Sequence, residues 1–165
     1  MSDNFPSNPK LVSLEEAMCK RDQLRRAGKS FGLTNGCFDL IHPGHMYFLS
    51  EAAKQVDELW VALNGDQSVR ALKGTSRPIQ SEQERAYALA SLESVHCILI
   101  FNTKRLTEEI KVLKPDIYLK AGDYDPKNQN QEERKALLDS GSEIRFLPFL
   151  QGFSTTDVIA KIKSL

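Results

Sequence analysis

Two histidines three residues apart, His42 and His45, bracket Pro43 and Gly44 directly after the run Leu33-Thr34-Asn35-Gly36-Cys37-Phe38-Asp39. The upstream run reads as a strand ending at a glycine. Pro43 suits the first helical position, where its missing N–H leaves nothing unpaired. On a helical first turn the two imidazoles then face the same side. Beside them stand unpaired backbone N–H groups and the positive end of the helix dipole. The combination is an anion site with two imidazoles added, which suits a reacting polyphosphate. Gly44 keeps the backbone open, because a side chain there would block a phosphate's approach. A histidine pair is also half of a zinc site, and zinc needs a third and fourth ligand. His96 and Cys97 lie at the start of another strand, and no other His or Cys pair has ligand spacing. No metal ligand is assigned.

The elements that must hold these residues follow from the hydrophobic pattern. Runs rich in β-branched or aromatic residues at 30–35, 58–63, 95–101, 116–120 and 143–147 predict strands. Helical patterns fall at 13–27, 43–55, 81–92, 105–113, 131–139 and 155–162. Ser81 with Glu84 makes a capping box, and Gly28 and Gly141 stand where helix C-caps belong. Pro115 should stop the helix before it. Strands alternating with helices predict a Rossmann-like α/β fold, a doubly wound sheet of about five mainly parallel strands with helices on both faces. In such sheets ligands bind at the carboxyl ends of strands, where the strand order reverses, and the histidine pair follows the first strand.

Composition narrows the function classes. The chain has 165 residues, enough for one domain with a substantial core, expected over 13–165 behind a frayed polar tail at 1–12. The 22 basic and 22 acidic side chains cancel, so no broad positive field exists for a nucleic-acid backbone. Small-molecule partners are expected, since a free nucleotide needs only a few local cations and N–H groups. Cys19, Cys37 and Cys97 are an odd number at spacings that suit reduced cytoplasmic thiols better than disulfides. The longest apolar run, 97–101, is too short to span a bilayer, and the first ten residues lack a signal-peptide core.

The run from Asn35 to His45 resembles the signature of the HxGH nucleotidyltransferases, the cytidylyltransferase-like superfamily. Gly152-Phe153-Ser154-Thr155-Thr156 is similar to that family's second signature, and the resemblance covers about 30–163. It implies transfer of a nucleoside monophosphate from a triphosphate to a phosphate-bearing acceptor, with Mg²⁺. Leu72-Lys73-Gly74-Thr75-Ser76-Arg77-Pro78 and Lys120-Ala121-Gly122-Asp123-Tyr124 resemble the heptose 1-phosphate adenylyltransferases, which make ADP-heptose for lipopolysaccharide core from ATP. In many bacteria that activity accompanies a sugar kinase, for which this chain has no room, so a stand-alone cytoplasmic enzyme is expected. The resemblance also implies a homodimer. Phe149-Leu150-Gln151-Gly152 replaces the Arg-Thr-Glu-Gly of glycerol-phosphate cytidylyltransferases. A cytidylyltransferase acting on a polyol or choline phosphate is the runner-up, and flavin adenylyltransferases have a similar opening motif. A nucleotide-binding regulator is the non-enzyme alternative.

Carried over to this sequence, the resemblance implies site roles. His42 and His45 donate to triphosphate oxygens, and Lys73 and Arg77 clamp phosphates. The Asn35-Gly36-Cys37-Phe38 backbone approaches the phosphates or the acceptor, and Asp39 orients the acceptor or an outer-sphere Mg²⁺. Asp123 and Tyr124 meet ribose and base, although Tyr124 also reads as a loop aromatic on the sheet edge. Ser154, Thr155 and Thr156 cap the last helix and hold β- and γ-phosphates. Arg85 matches a family arginine and also reads as half of a surface salt bridge. Asp66, after the second strand, reads as a helix cap.

Overall fold

The computed structural model describes residues 6–122, 130–148 and 150–165. Five strands, β1 (Phe31–Gly36), β2 (Glu58–Asn64), β3 (Cys97–Phe101), β4 (Ile117–Ala121) and β5 (Glu143–Leu147), form one sheet in the order β3-β2-β1-β4-β5. Every pairing in it is parallel, as the alternating pattern predicts. A parallel sheet covered on both faces needs strands apolar on both sides. Leu59, Trp60, Val61, Ala62 and Leu63 of β2 are accordingly all fully buried.

The pleat divides the core in two. Phe31, Leu33, Trp60 and Ala62 pack against Leu24 of α1 (Leu14–Arg26), Ile110 of α5 (Thr107–Leu113) and Leu137 of α6 (Gln131–Asp139). Leu59, Val61 and Leu63 pack against Leu49 of α2 (Pro43–Ala53) and Leu89 of α4 (Glu82–Ala90) on the other face. Helix ends follow their local signals. Ser81 and Glu84 form the capping box of α4, and Gly28 and Gly141 take φ of +67° and +75° just past α1 and α6. Lys114 ends α5 in a left-handed conformation immediately before Pro115.

Strand order reverses between β1 and β4. β1 follows β2 as far as Gly36 opposite Leu63, but meets β4 only at Gly32–Ile117 and Leu33–Tyr118. Beyond those pairs the ladder between β1 and β4 stops, which leaves a crevice at the carboxyl end of the sheet.

Three local expectations change. A helix outside the six predicted ranges, α3 (Asp66–Lys73), ends at Lys73. Asp66 is not its cap: Gly65 holds that position, and the Asp66 N–H donates to Glu82 Oε2 of α4. A side chain at Gly65 would meet Asn102 Oδ1 at 2.1 Å and Glu82 Oε2 at 2.9 Å, so both would have to shift. Part of the stretch expected to fray is tied down. The Val12 N–H donates to the Ile98 carbonyl and the Ile98 N–H to the Lys10 carbonyl, covering the outer edge of β3.

Candidate active site

His42 is the N-cap of α2, and its carbonyl accepts from the N–H groups of His45 and Met46. Its side chain makes no cap bond, which frees the ring. The ring stacks on His45 with centroids 3.7 Å apart and planes 24° from parallel. Phe38, at φ 46°, turns its ring against the other neighbour of the stack, 5.0 Å from His45. Gly44 is buried under this pair: a Cβ there would lie 3.0 Å from His42 Nδ1 and 3.3 Å from Phe153 Cβ. The close approach that demands glycine is thus to the imidazole, besides the approach of a ligand that the sequence suggests.

Nδ1 of both histidines is buried without a hydrogen-bond partner among the described residues. Burial pushes the His45 value down to about 4, helped by the adjacent His42 and opposed by the Leu40 backbone. Burial also lowers His42, while the Asp157 carboxylate of α7 (Thr155–Lys163) opposes it. Without a ligand the pair is therefore neutral near pH 7. Two stacked imidazoles would repel if both were charged.

His45 opens onto a cleft of about 400 Å³ at the carboxyl ends of β1 and β2. Gly36, Cys37, Phe38 and Asp39 form one wall, Lys73 and Arg77 another, and Thr155 and Thr156 at the start of α7 close the far side. His42 stands behind His45 and does not line the cleft. Ser154 caps α7, its Oγ accepting from the Asp157 N–H at 3.1 Å and donating to Asp157 Oδ2 at 2.6 Å. Burial raises the Cys37 thiol, against the nearby Lys73, Arg85 and Arg77, which disfavours its thiolate. A wider groove of about 760 Å³ runs between α5 and α6 and contains none of the residues singled out by sequence.

The structure gives Asp39 a structural task beside the role expected of it. It is 5% exposed and accepts from Arg77 Nη1 at 2.5 Å and from the N–H groups of Ile79 and Gln80 at 2.7 and 3.2 Å. It thus pins the arginine-bearing loop to the end of β1. Arg85 is not on the surface at all, with 0% exposure. Its guanidinium donates to the carbonyls of Cys37, Asn64 and Gln80 at 2.6, 2.7 and 3.1 Å and to Asp66 Oδ1 at 2.8 Å. One side chain therefore ties together the ends of β1 and β2, the start of α3 and the loop before α4. Lys73 is exposed and makes no ion pair among the described residues, so its charge is available to a ligand. Asn35 accepts from the Tyr118 hydroxyl at 2.6 Å. Tyr118 escapes a reading by motif; the available signal is one hydroxyl inside the apolar run Ile117-Tyr118-Leu119, which must find a partner when buried. Asp123 and Tyr124 lie outside the described residues.

Comparison with known proteins agrees with this geometry. The chain is 41% identical over 157 residues to the bifunctional protein HldE of Aliarcobacter butzleri, covering 95% of this chain and 32% of that one. It is 43% identical over 155 residues to HldE of Syntrophotalea carbinolica, covering 92% and 31%. The chain thus spans about a third of the length of the curated relatives it matches. Among solved structures, the lipopolysaccharide core biosynthesis protein of Thermoplasma volcanium superposes with a TM-score of 0.60 at 25% identity, over 74% of this chain and 98% of that one. Pantoate-beta-alanine ligase of Francisella tularensis shares the fold, with a TM-score of 0.57 at 14% identity over 93% of this chain and 76% of that one. The cytidylyltransferase-like family matches residues 33–161, from the first strand through the histidine pair to the last helix, and the chain belongs to that family.

Proposed function

We propose that this chain transfers AMP from ATP to a sugar 1-phosphate, heptose 1-phosphate, releasing pyrophosphate and giving ADP-heptose for lipopolysaccharide core. The observation that carries the reaction class is His45, with His42 stacked on it, sharing one cleft with Lys73, Arg77 and the start of α7. Similarity to HldE and to the Thermoplasma lipopolysaccharide core protein supports the choice of acceptor. So do the Lys73–Arg77 and Lys120–Gly122 segments.

An oxygen of the acceptor phosphate attacks the α-phosphorus. The bond from that phosphorus to the bridging oxygen breaks, and pyrophosphate leaves with the electron pair. The attacking group is already an anion, so no side-chain nucleophile is required. Positioning and charge stabilisation carry such a reaction. His45 donates an N–H to the α- and β-oxygens as charge moves to the leaving group, with His42 stacked behind it. Lys73 acts as a point charge, and Arg77 grips in a planar fork. Thr155 and Thr156 present hydroxyls and backbone N–H groups at the positive end of α7.

Among the described residues no three His, Cys, Asp or Glu side chains stand together as a metal cage, and Asp39 is committed to Arg77, Ile79 and Gln80. These side chains form no all-protein cage for Mg²⁺. The ion fits as one that arrives on the triphosphate oxygens with several of its waters. No helix among the described residues is long and apolar enough to cross a membrane. The assigned substrates are soluble, which fits a cytoplasmic reaction.

The test is pyrophosphate release with Mg²⁺ across ATP, CTP, GTP and UTP, each paired with D-glycero-β-D-manno-heptose 1-phosphate, glycerol 3-phosphate and flavin mononucleotide. Release with ATP only when the heptose phosphate is present is the expected result. Release with CTP and glycerol phosphate would keep the mechanism and replace base and acceptor. ATP binding with silence across the panel would favour a nucleotide-binding regulator.

A further inference from the structure

The crevice between β1 and β4 is bridged by one hydrogen bond that the reaction above does not use. The ladder between these strands ends at Leu33–Tyr118. Two residues further along β1, the Asn35 side chain meets the Tyr118 hydroxyl, which donates to Asn35 Oδ1 at 2.6 Å. Tyr118 is 1% exposed and packed in the core with Leu33, Ile110 and Leu137, so its ring has one place to be. Burial, with the Glu133 carboxylate nearby, raises its pKa, so the phenol remains a donor at any working pH. The carboxamide oxygen is thereby taken. The NH₂ end has no partner among the described residues, and Asn35 is only partly buried. Asn35 immediately precedes Gly36, the first residue of the cleft wall, and does not itself line that cleft; the oxygen its NH₂ would meet lies in the crevice between β1 and β4.

We infer that Tyr118 is a positioning residue that locks the Asn35 carboxamide with its NH₂ group turned toward an oxygen of a bound substrate. A free asparagine side chain presents a donor or an acceptor by rotating half a turn. Only the first is compatible with a phosphate oxygen, which carries lone pairs and no hydrogen. Fixing the oxygen end from inside the core selects the donor without any residue in the cleft having to do so. The ligand chemistry is an oxygen acceptor, supplied by the triphosphate or by the phosphorylated sugar. This inference rests on the reaction proposed above.

Three variants test it: Tyr118→Phe, Asn35→Asp and Asn35→Ala, with the double variant Tyr118→Phe/Asn35→Ala. Each is followed by steady-state kinetics and by equilibrium binding of Mg-ATP and of D-glycero-β-D-manno-heptose 1-phosphate separately. Tyr118→Phe keeps the ring and its packing and loses only the hydroxyl. It should weaken the affinity for one of the two ligands about tenfold, and the ligand affected identifies the source of the oxygen. Asn35→Asp keeps an oxygen for Tyr118 to donate to but removes the NH₂. It should lose at least as much affinity for that ligand as Asn35→Ala. The double variant should match Asn35→Ala within about twofold, because Tyr118 acts only through Asn35. Unchanged affinities in Tyr118→Phe, independent losses that multiply in the double variant, or an Asn35→Asp protein that binds like the wild type would each overturn the inference. A wild type that binds both ligands without turnover would overturn the reaction and leave these binding comparisons decisive. A wild type that binds neither would overturn both.

Discussion

Two imidazoles stacked at 3.7 Å, each with a buried unpartnered nitrogen, are a poor arrangement for stability and a useful one for a polyanion. The buried nitrogens lack the partners that an ordinary core histidine has. A triphosphate in the cleft would bring its negative charge and acceptor oxygens to the exposed edge of His45. His45→Ala should therefore lower kcat about 10²–10³-fold, as for loss of one preorganised donor, while the Kd for ATP changes far less. Single-turnover kinetics beside equilibrium binding measures the split, and equal losses would reduce His45 to a ground-state ligand. The pair also titrates. His45 lies at about 4 in the folded protein against an ordinary value of 6.5. Between those values the unfolded chain binds more protons, so stability is complete above the upper value and falls as pH drops toward the lower one. Denaturant unfolding of the unliganded protein at pH 7 and pH 5 should show that loss. His45→Gln should flatten the profile over the same range.

At the scale of elements, the cleft is a meeting of ends held by side chains behind it. Asp39 pins the Arg77 loop to β1, and Arg85 joins the ends of β1 and β2 to α3 and to the loop before α4. Arg85 is fully buried, so its removal leaves carbonyls and the Asp66 carboxylate without their donor. Arg85→Met should destabilise the fold by about 3–5 kcal/mol, the range for breaking a buried ion pair. Urea unfolding reads this directly. Asp66→Asn should cost less, because Asp66 retains 23% side-chain exposure and water can replace part of the pairing. α7 differs from the other helices in burying no residue fully, yet it supplies Thr155 and Thr156 to the cleft. Its attachment at the site runs through Phe153 beside Gly44 and the Asp157 charge near His42.

For the molecule as a whole, one continuous sheet places the cleft at the carboxyl ends of β1 and β2, next to the crevice where its strand order reverses, and the core lies in two layers behind it. A ligand that bridges α2, the Arg77 loop and α7 binds only when all three are in place, so it stabilises the folded chain. At about a hundred times its Kd, Mg-ATP should add about 2.7 kcal/mol and raise Tm by roughly 5–10 °C. A thermal scan with Mg-ATP and Mg-CTP in parallel tests both coupling and base preference. A larger shift with CTP would contradict the assignment of ATP as donor.

The alternation of strands and helices, the capping box at Ser81–Glu84 and the glycines ending α1 and α6 were legible because each rests on neighbours in the chain. The histidine pair was legible for the same reason: a helical first turn brings His42 and His45 to one side whatever surrounds them. Sequence also placed Lys73, Arg77, Thr155 and Thr156 as site residues, and the folded chain brings them to one cleft. Contacts between distant segments were not legible. Arg85 reads as a surface cation until β1, β2 and the loop before α4 converge on it, 48 residues from Cys37 and 21 from Asn64. Asp39 reads as a residue that orients the acceptor or an outer-sphere Mg²⁺, and only the fold shows that it also holds Arg77 and two N–H groups. Tyr118 looks like an ordinary strand aromatic until the sheet sets it beside Asn35, 83 residues away. Local sequence determines which groups are unsatisfied at the end of a strand or helix. Which of them remain available to a ligand is decided only when the rest of the chain has filled its share of hydrogen bonds.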